Sequence, residues 1–294
     1  MQGGGQAVVS GGGTMSDSFL WLGGQARIQS GGTASQLRVI GNGWWGMGAG
    51  AVLVGSGGTA FNTVLSGAYQ AVQGQGAYTE NTVVTNSGWQ DVGLNSFDGL
   101  YGGGVASGST LVSGGKQFVS GGTAVTTIIS AGGTQTAMLG GVASGSVVSS
   151  AGFMTVLSGG TAYGANAVSG GRVLIAGGGV LSGGIIASGA TLSGSAGALW
   201  TGNIKVGVAV SGGSIVSQGI TEILSGGVHA ISSLHREALC KSMPGVHSLG
   251  WQTLQQAVTR RWMGLLEEPS ILADRGSVSD PHGNDKPEFD YIRL

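Results

Sequence analysis

The chain has 294 residues and a formal net charge of −1, with 63 glycines and only 9% charged residues. An average globular domain has about 7% glycine and about 25% charged residues, so this composition is not that of an ordinary globular domain. Because there is no excess of basic residues to neutralise phosphates, the composition argues against nucleic-acid binding. No stretch reaches the ~18 uninterrupted apolar residues of a membrane-spanning helix, so we expect none.

A repeat of 18–19 residues runs along most of the chain. The string Ser-Gly-Gly-Thr-Ala begins at Ser30, Ser56, Ser120 and Ser158. Aligned second glycines, 18, 19, 19 and 19 residues apart, are Gly104, Gly122, Gly141, Gly160 and Gly179. Two longer intervals contain insertions, one around Trp44 and Trp45 and one around Asn95–Tyr101. A fixed period of this length is typical of a stacked repeat architecture.

Short runs of β-branched and apolar residues lie between the glycine-rich turns, and such runs indicate strands. Thr127-Ile128-Ile129 is one example, and we place Ile128 in a stacked apolar column of the core. A single coil buries too little apolar surface on its own, so its stability comes from stacking on its neighbours. We therefore predict an all-β fold, a parallel β-helix or β-solenoid of 18–19-residue coils, over residues 7–230.

A glutamine recurs in the second half of successive repeats. The column contains Gln70, Gln90, Gln117 and Gln135, and Met154 takes the equivalent position in the next repeat. Stacked glutamines form amide hydrogen-bond ladders in cross-β assemblies. We expect the same ladder here.

The composition changes near Leu234. Residues 1–234 hold ten charged residues, whereas residues 235–294 hold fifteen, together with all four prolines and the single cysteine, Cys240. We therefore divide the chain into a repeat body, 1–234, and an unrelated tail, 235–294. Within the tail, apolar residues at helical spacing predict a helix over about 248–266, and we expect the remainder to be disordered.

Motifs that would carry catalysis are scarce. Gly41–Gly46 fits the pattern G-x-G-x-x-G, but neither the helix nor the acidic residue that a dinucleotide site needs follows it. Asp91 and Asp98 offer one loop-borne acid pair, for which we prefer the interpretation of solvated loop carboxylates. We therefore predict no catalytic, cofactor-binding or metal-binding residues, no small-molecule substrate and no enzymatic activity.

Aromatic residues are concentrated in or beside the insertions. The candidate binding surface consists of Trp44, Trp45, Trp89, Phe97 and Tyr101. Trp21 and Trp200 are two further aromatics that we expect to interrupt the repeat. Inserted aromatics on a rigid scaffold either stack on sugar rings and partners or cover the solenoid core, and the sequence leaves both roles open.

The unit Ser56–Val72, Ser-Gly-Gly-Thr-Ala-x-x-Thr-Val-Leu-Ser-x-x-x-Gln-x-Val, resembles the passenger repeats of AIDA-type autotransporter adhesins. The resemblance covers about residues 7–230. It implies a β-helical passenger at the bacterial cell surface that mediates adhesion, autoaggregation or biofilm formation. Its partners would be host or matrix glycans, proteins, or other copies of itself.

Members of that family also have a signal peptide and a C-terminal outer-membrane β-barrel. The sequence printed here shows neither the apolar run of a signal peptide at Met1–Gly5 nor alternating barrel strands in its tail. Two alternatives to an adhesive passenger stay open: a β-helical glycan-binding or glycan-active module, and a non-functional truncated fragment of an adhesin gene.

Overall fold

The computed structural model describes residues 4–21, 23–42, 50–93 and 102–206, and beyond them the backbone of seven short strands between 209 and 292. The described residues form a parallel β-solenoid, and no helix occurs among them. The predicted fold class is confirmed.

The strands, numbered in chain order, are β1 Gln6–Val9, β2 Thr14–Ser16, β3 Phe19–Trp21, β4 Gln25–Ile28, β5 Thr33–Ser35, β6 Arg38–Ile40, β7 Ala51–Val54, β8 Thr59–Phe61, β9 Val64–Ser66, β10 Tyr69–Val72, β11 Tyr78–Glu80, β12 Val83–Thr85, β13 Trp89–Val92, β14 Val105–Ser107, β15 Thr110–Leu111, β16 Lys116–Ser120, β17 Thr123–Val125, β18 Ile128–Ile129, β19 Thr134–Met138, β20 Val142–Ser144, β21 Val147–Val148, β22 Phe153–Val156, β23 Thr161–Ala167, β24 Arg172–Ile175, β25 Val180–Ile186, β26 Thr191–Gly194, β27 Leu199–Val206, β28 Ala209–Ser211, β29 Ser214–Ile215, β30 Ile220–Ile223, β31 Val228–Ala230, β32 Ser233–Leu234, β33 Leu239–Ser242 and β34 Asp290–Ile292.

Each coil contributes one strand to sheet A and two to sheet B. Sheet A, in spatial order, consists of β1, β4, β7, β10, β13, β16, β19, β22, β24, β26, β28 and β31. The other described strands form sheet B, where the two strands of a coil merge into one long strand in β23, β25 and β27. All of these pairings are parallel except that of β33 with β34. Each coil therefore stacks on the previous one at a rise of about 4.8 Å.

The core consists of columns of inward residues. Alternation along each strand sends one residue in and the next out, so one inward position stacks on the same position of the next coil. One sheet B column contains Leu65, Val84, Leu111, Ile129 and Val148, each fully buried.

The placement of Ile128 in the core was wrong. Its side chain is 47% exposed, in an outward row with Thr110 and Val147. The chain bends at Thr126, which has a positive φ of 53°, and Thr127 and Ile129 then both point inward. An apolar run alone does not reveal which of its residues the bend turns inward.

Glutamines form the predicted ladder inside the solenoid. Gln70, Gln90, Gln117 and Gln135 are fully buried and paired in register. From Gln90 onward, each Nε2 donates to the Oε1 of the preceding glutamine, at 2.7 Å, 2.6 Å and 2.7 Å. Met154 follows Gln135 in register, as expected.

Buried hydroxyl groups of sheet B complete this ladder. Each glutamine of the ladder accepts a hydrogen bond from one hydroxyl group: Gln70 from Thr82 at 3.2 Å, Gln90 from Ser109 at 3.0 Å, Gln117 from Thr127 at 3.1 Å, and Gln135 from Ser146 at 2.8 Å. Buried polar groups of this kind are tolerated when they are hydrogen-bonded. The ladder joins the two sheets through four successive coils.

The Gly-Gly turns have two separate physical causes, which the pair Gly140-Gly141 illustrates. Gly140 has a φ of 80°, which L residues with a Cβ rarely adopt. Gly141 has an ordinary φ, but a Cβ on it would fall on the carbonyl oxygen of Val119 in the preceding coil. The first glycine permits the bend, and the second permits the coils to stack.

The strand pairing continues beyond the expected boundary at Leu234. Strand β33 pairs in parallel with β30, and β34 pairs antiparallel with β33. The helix expected over 248–266 lies outside the described residues. The division of the chain into body and tail stays a prediction.

Candidate functional site

Of the five predicted surface residues, the structure describes one. Trp89 is the first residue of β13 and is partly buried. Trp44, Trp45, Phe97 and Tyr101 lie outside the described residues. In the chain, residues 43–49 precede β7 and residues 94–101 follow β13. Trp21 is partly exposed, whereas Trp200, which we expected to interrupt the repeat, is a buried core residue, 1% exposed.

Trp89 belongs to a group of residues on the outer side of sheet A. The strand alternation that turns Gln90 and Val92 into the core turns Trp89 and Asp91 outward. We call this group the sheet A cluster. It consists of five outward residues of β7, β10, β13 and β16: Leu53, Tyr69, Trp89, Asp91 and Phe118.

A buried carboxylate holds the aromatic rings of two coils. The Trp89 Nε1–H donates to Asp91 Oδ1 at 2.6 Å, and the Tyr69 hydroxyl donates to Asp91 Oδ2 at 3.0 Å. Asp91 is only 5% exposed. Two hydrogen bonds to one buried side chain fix the orientation of both rings.

The interpretation of Asp91 as a solvated loop carboxylate was therefore wrong. Asp91 lies within a strand, and the sequence did not show this because alternation alone places it on the outer side, where exposure is the usual outcome. Asp98, the other member of the suggested acid pair, lies outside the described residues.

A second ring packs on Trp89. The centroids of Trp89 and Phe118 are 4.8 Å apart, with an angle of 36° between the ring planes. Phe118 faces Asp91 in register, and the exposed Lys116 faces Trp89. Phe118 was not predicted as a surface residue, because it lies outside the insertions, at an outward position of a regular strand. The cluster presents partly exposed aromatic faces with a cation beside them.

Within the described residues, no group of three or more His, Cys, Asp or Glu side chains is arranged to hold a metal ion. A search of the same residues found no helix long and apolar enough to cross a membrane. The three acidic residues of the described part of 4–206 lie at separate places: Asp17 at a corner of the first coil, Glu80 in sheet B and Asp91 in sheet A.

No known sequence family and no curated protein matches the chain. Among solved structures, it is similar to the crystal structure of a TibC-catalysed hyper-glycosylated fragment of TibA, residues 55–350. The sequence identity is 26% with a TM-score of 0.60, over 82% of this chain and 93% of that chain. This similarity supports the resemblance to AIDA-type passengers at the level of a β-solenoid that spans most of both chains.

Proposed function

We propose that this chain is a structural and adhesive passenger segment of a bacterial autotransporter, displayed at the cell surface. It would mediate adhesion, autoaggregation or biofilm formation by binding glycans, proteins or further copies of itself. The observation that carries the proposal is the likeness of the whole solenoid to the TibA fragment. The AIDA-type repeat unit in the sequence points independently to the same class of protein.

The geometry of the solenoid suits multivalent binding. Outward positions repeat from coil to coil, so like side chains form rows at a rise of about 4.8 Å. One such row begins with Thr14, Thr33 and Thr59, and the Thr59 hydroxyl donates to the Thr33 hydroxyl at 3.2 Å. Single contacts to such a row are weak, but many simultaneous contacts raise the overall affinity by avidity.

Catalysis is not part of the proposal. Acid/base hydrolysis of glycans needs two carboxyl groups about 5–10 Å apart across the bond that is cleaved. Asp91 is buried and engaged with two rings, and Glu80 lies on the other sheet. A glycan-binding role needs no such pair and fits the aromatic surface of the sheet A cluster.

The test is surface display of the full chain between a heterologous signal peptide and outer-membrane barrel. We expect cells that display it to settle faster and to attach more to surfaces than cells with the barrel alone. A double variant, Trp89→Leu with Phe118→Leu, tests whether the sheet A cluster takes part. If display has no effect at equal surface levels, the adhesive function is excluded.

We also carry over from the TibA fragment the proposal that this chain accepts glycosyl groups. Exposed serines at the Gly-Gly corners, such as Ser30, Ser56 and Ser158, have accessible hydroxyls for this modification. Intact-mass measurement after co-expression with TibC tests it, and an unchanged mass would contradict it.

A further inference from the structure

A second group of aromatic and polar side chains lies on the outer side of sheet B. It is formed by two successive coils in which β8 and β11 pair in register, with Thr59 opposite Tyr78 and Phe61 opposite Glu80. The next residue in each coil, Asn62 or Asn81, forms the corner with a positive φ of 52° or 55°. We call Phe61, Asn62, Tyr78, Glu80 and Asn81 the sheet B patch.

The two rings of the patch form a half-exposed aromatic surface. The centroids of Phe61 and Tyr78 are 6.2 Å apart, with 60° between the ring planes. Both side chains are intermediate in exposure, so part of each ring is accessible to a ligand. Aromatic side chains combine a large apolar surface with low conformational freedom, which makes them effective binding groups.

Polar groups next to these rings are oriented by bonds within the patch. The Tyr78 hydroxyl donates to Glu80 Oε2 at 3.4 Å, and Asn81 Nδ2 donates to Asn62 Oδ1 at 3.2 Å. Among the described residues, the amide Nδ2 of Asn62 and the carboxylate Oε1 of Glu80 have no hydrogen-bond partner. The patch therefore offers both a free donor and a free charged acceptor beside an aromatic surface.

We propose that the sheet B patch binds the pyranose ring of a neutral saccharide. The ring's apolar C–H face would pack on Tyr78 and Phe61, while neighbouring hydroxyl groups donate to Glu80 and accept from Asn62. A hydroxyl both donates and accepts, so a carboxylate and an amide side by side match a pair of vicinal hydroxyls. This inference rests on the adhesive function proposed above and names one class of ligand for it.

The charge of the patch selects against acidic sugars. Glu80 is its one ionisable carboxylate, and a uronic or sialic acid would bring a second negative charge close to it. The basic residues of the described part of 4–206 lie on sheet A or in the second sheet B segment of a coil: Arg27, Arg38, Lys116, Arg172 and Lys205. None of them lies on the strands β8 and β11 that carry the patch.

The experiment is a saturation-transfer NMR titration of the full chain. The neutral probes are lactose, maltose and cellobiose, and the acidic probes are 3′-sialyllactose and digalacturonic acid. We expect at least one neutral probe to bind with a Kd on the order of 1 mM, which is the range of a single weak contact, and the acidic probes to bind more weakly.

Variants separate the patch from the rest of the surface. Glu80→Gln keeps the shape of this partly buried side chain and should weaken binding of the neutral probe about tenfold through loss of a charge-assisted bond. Tyr78→Leu should abolish the signal. The matched control is Tyr163→Leu, because Tyr163 is 49% exposed on the same face but pairs with Ser144 and Ser182.

The proposal is overturned if no neutral probe binds, or if the acidic probes bind as tightly as the neutral ones. It is also overturned if Tyr163→Leu weakens binding as much as the patch variants do. The display assay is a separate measurement. Adhesion without saccharide binding would support the adhesive function and refute saccharide binding at the sheet B patch. Saccharide binding without adhesion would support the sheet B patch as a binding site and refute the adhesive function.

Discussion

The substitution Gln117→Leu breaks the buried ladder at its centre. In the native chain, Gln117 Nε2 donates to Gln90 Oε1, and Gln117 Oε1 accepts from Gln135 Nε2 and from the Thr127 hydroxyl. Leucine has a similar volume but makes none of these bonds. Gln90 Oε1 keeps the bond from Ser109, so two groups lose their partner: Gln135 Nε2 and Thr127 Oγ1.

The expected cost follows from those two groups. A buried polar group without a partner costs about 1–3 kcal/mol. The apolar atoms of leucine return about 1 kcal/mol by their burial. Two such groups cost about 2–6 kcal/mol. We therefore expect the free energy of unfolding, measured by urea denaturation, to fall by about 1–5 kcal/mol.

The control for this prediction lies in the same column. Met154 is fully buried in register with Gln135, and Met154→Leu conserves volume without removing a polar group. Its cost should stay below about 1.5 kcal/mol. If Gln117→Leu is no more destabilising than Met154→Leu, the ladder does not contribute as the structure indicates.

The start of the ladder allows the converse test. Val52 precedes Gln70 in the column, and the buried Gln70 Nε2 and Thr63 Oγ1 have no hydrogen-bond partner among the described residues. Val52→Gln supplies an acceptor to both groups and leaves one new amide unpaired, so we expect about 1 kcal/mol of added stability. Val54→Gln on the same strand is the control and should destabilise, because its column continues with the apolar Val72. Equal destabilisation by both variants would contradict the prediction.

Three further predictions concern the corners, the strand faces and the sheet A cluster. Gly141→Ala should lower the melting temperature far more than an alanine substitution at an exposed site, because its Cβ meets a backbone carbonyl, and retention of the native midpoint would refute the close stacking. Ile129→Asp should prevent cooperative folding, observed by circular dichroism, whereas Ile128→Asp should change stability by less than about 0.5 kcal/mol. Asp91→Asn should lower the unfolding free energy by about 1–3 kcal/mol, since an amide accepts at only one of its two ends, and an unchanged value would mean that the carboxylate does not hold the two rings.

Sequence spacing predicted what recurs along the solenoid axis. The glutamine column was visible because equivalent residues of successive coils are separated by a near-constant number of residues. The hydroxyl partners of the ladder were not predicted, because they face the glutamines across the interior. The spacing of residues along the sequence does not determine which column of sheet B faces which column of sheet A across the interior.

The candidate site, too, could be predicted from the sequence only in part. Trp89 was predicted from its position beside an insertion. Its hydrogen bond to Asp91 follows from the alternation of side chains within β13, whereas its contact with Phe118 depends on the register of β13 with β16 in the next coil. That register includes coils of unequal length, so the residues that meet cannot be found by adding a fixed period. The outward position of Ile128 likewise depends on the bend at Thr126 and on no property of isoleucine itself.

The unequal coils explain how the solenoid carries added segments without losing its core. Gln90 pairs in register with Gln117, 27 positions later, because Gly102 N donates to Gly93 O at 3.1 Å and closes the insertion at its base. Loop-closure entropy grows only with the logarithm of length, so lengthening a coil from about 19 to 27 residues costs about 0.3 kcal/mol. A one-residue slip of the strand would instead turn Gln117 outward and leave Gln135 Nε2 and Thr127 Oγ1 without their acceptor, at a cost of about 1–3 kcal/mol for each of these groups. Register is thus held more strongly than loop length, so the length of an insertion can change while the columns of the core stay continuous.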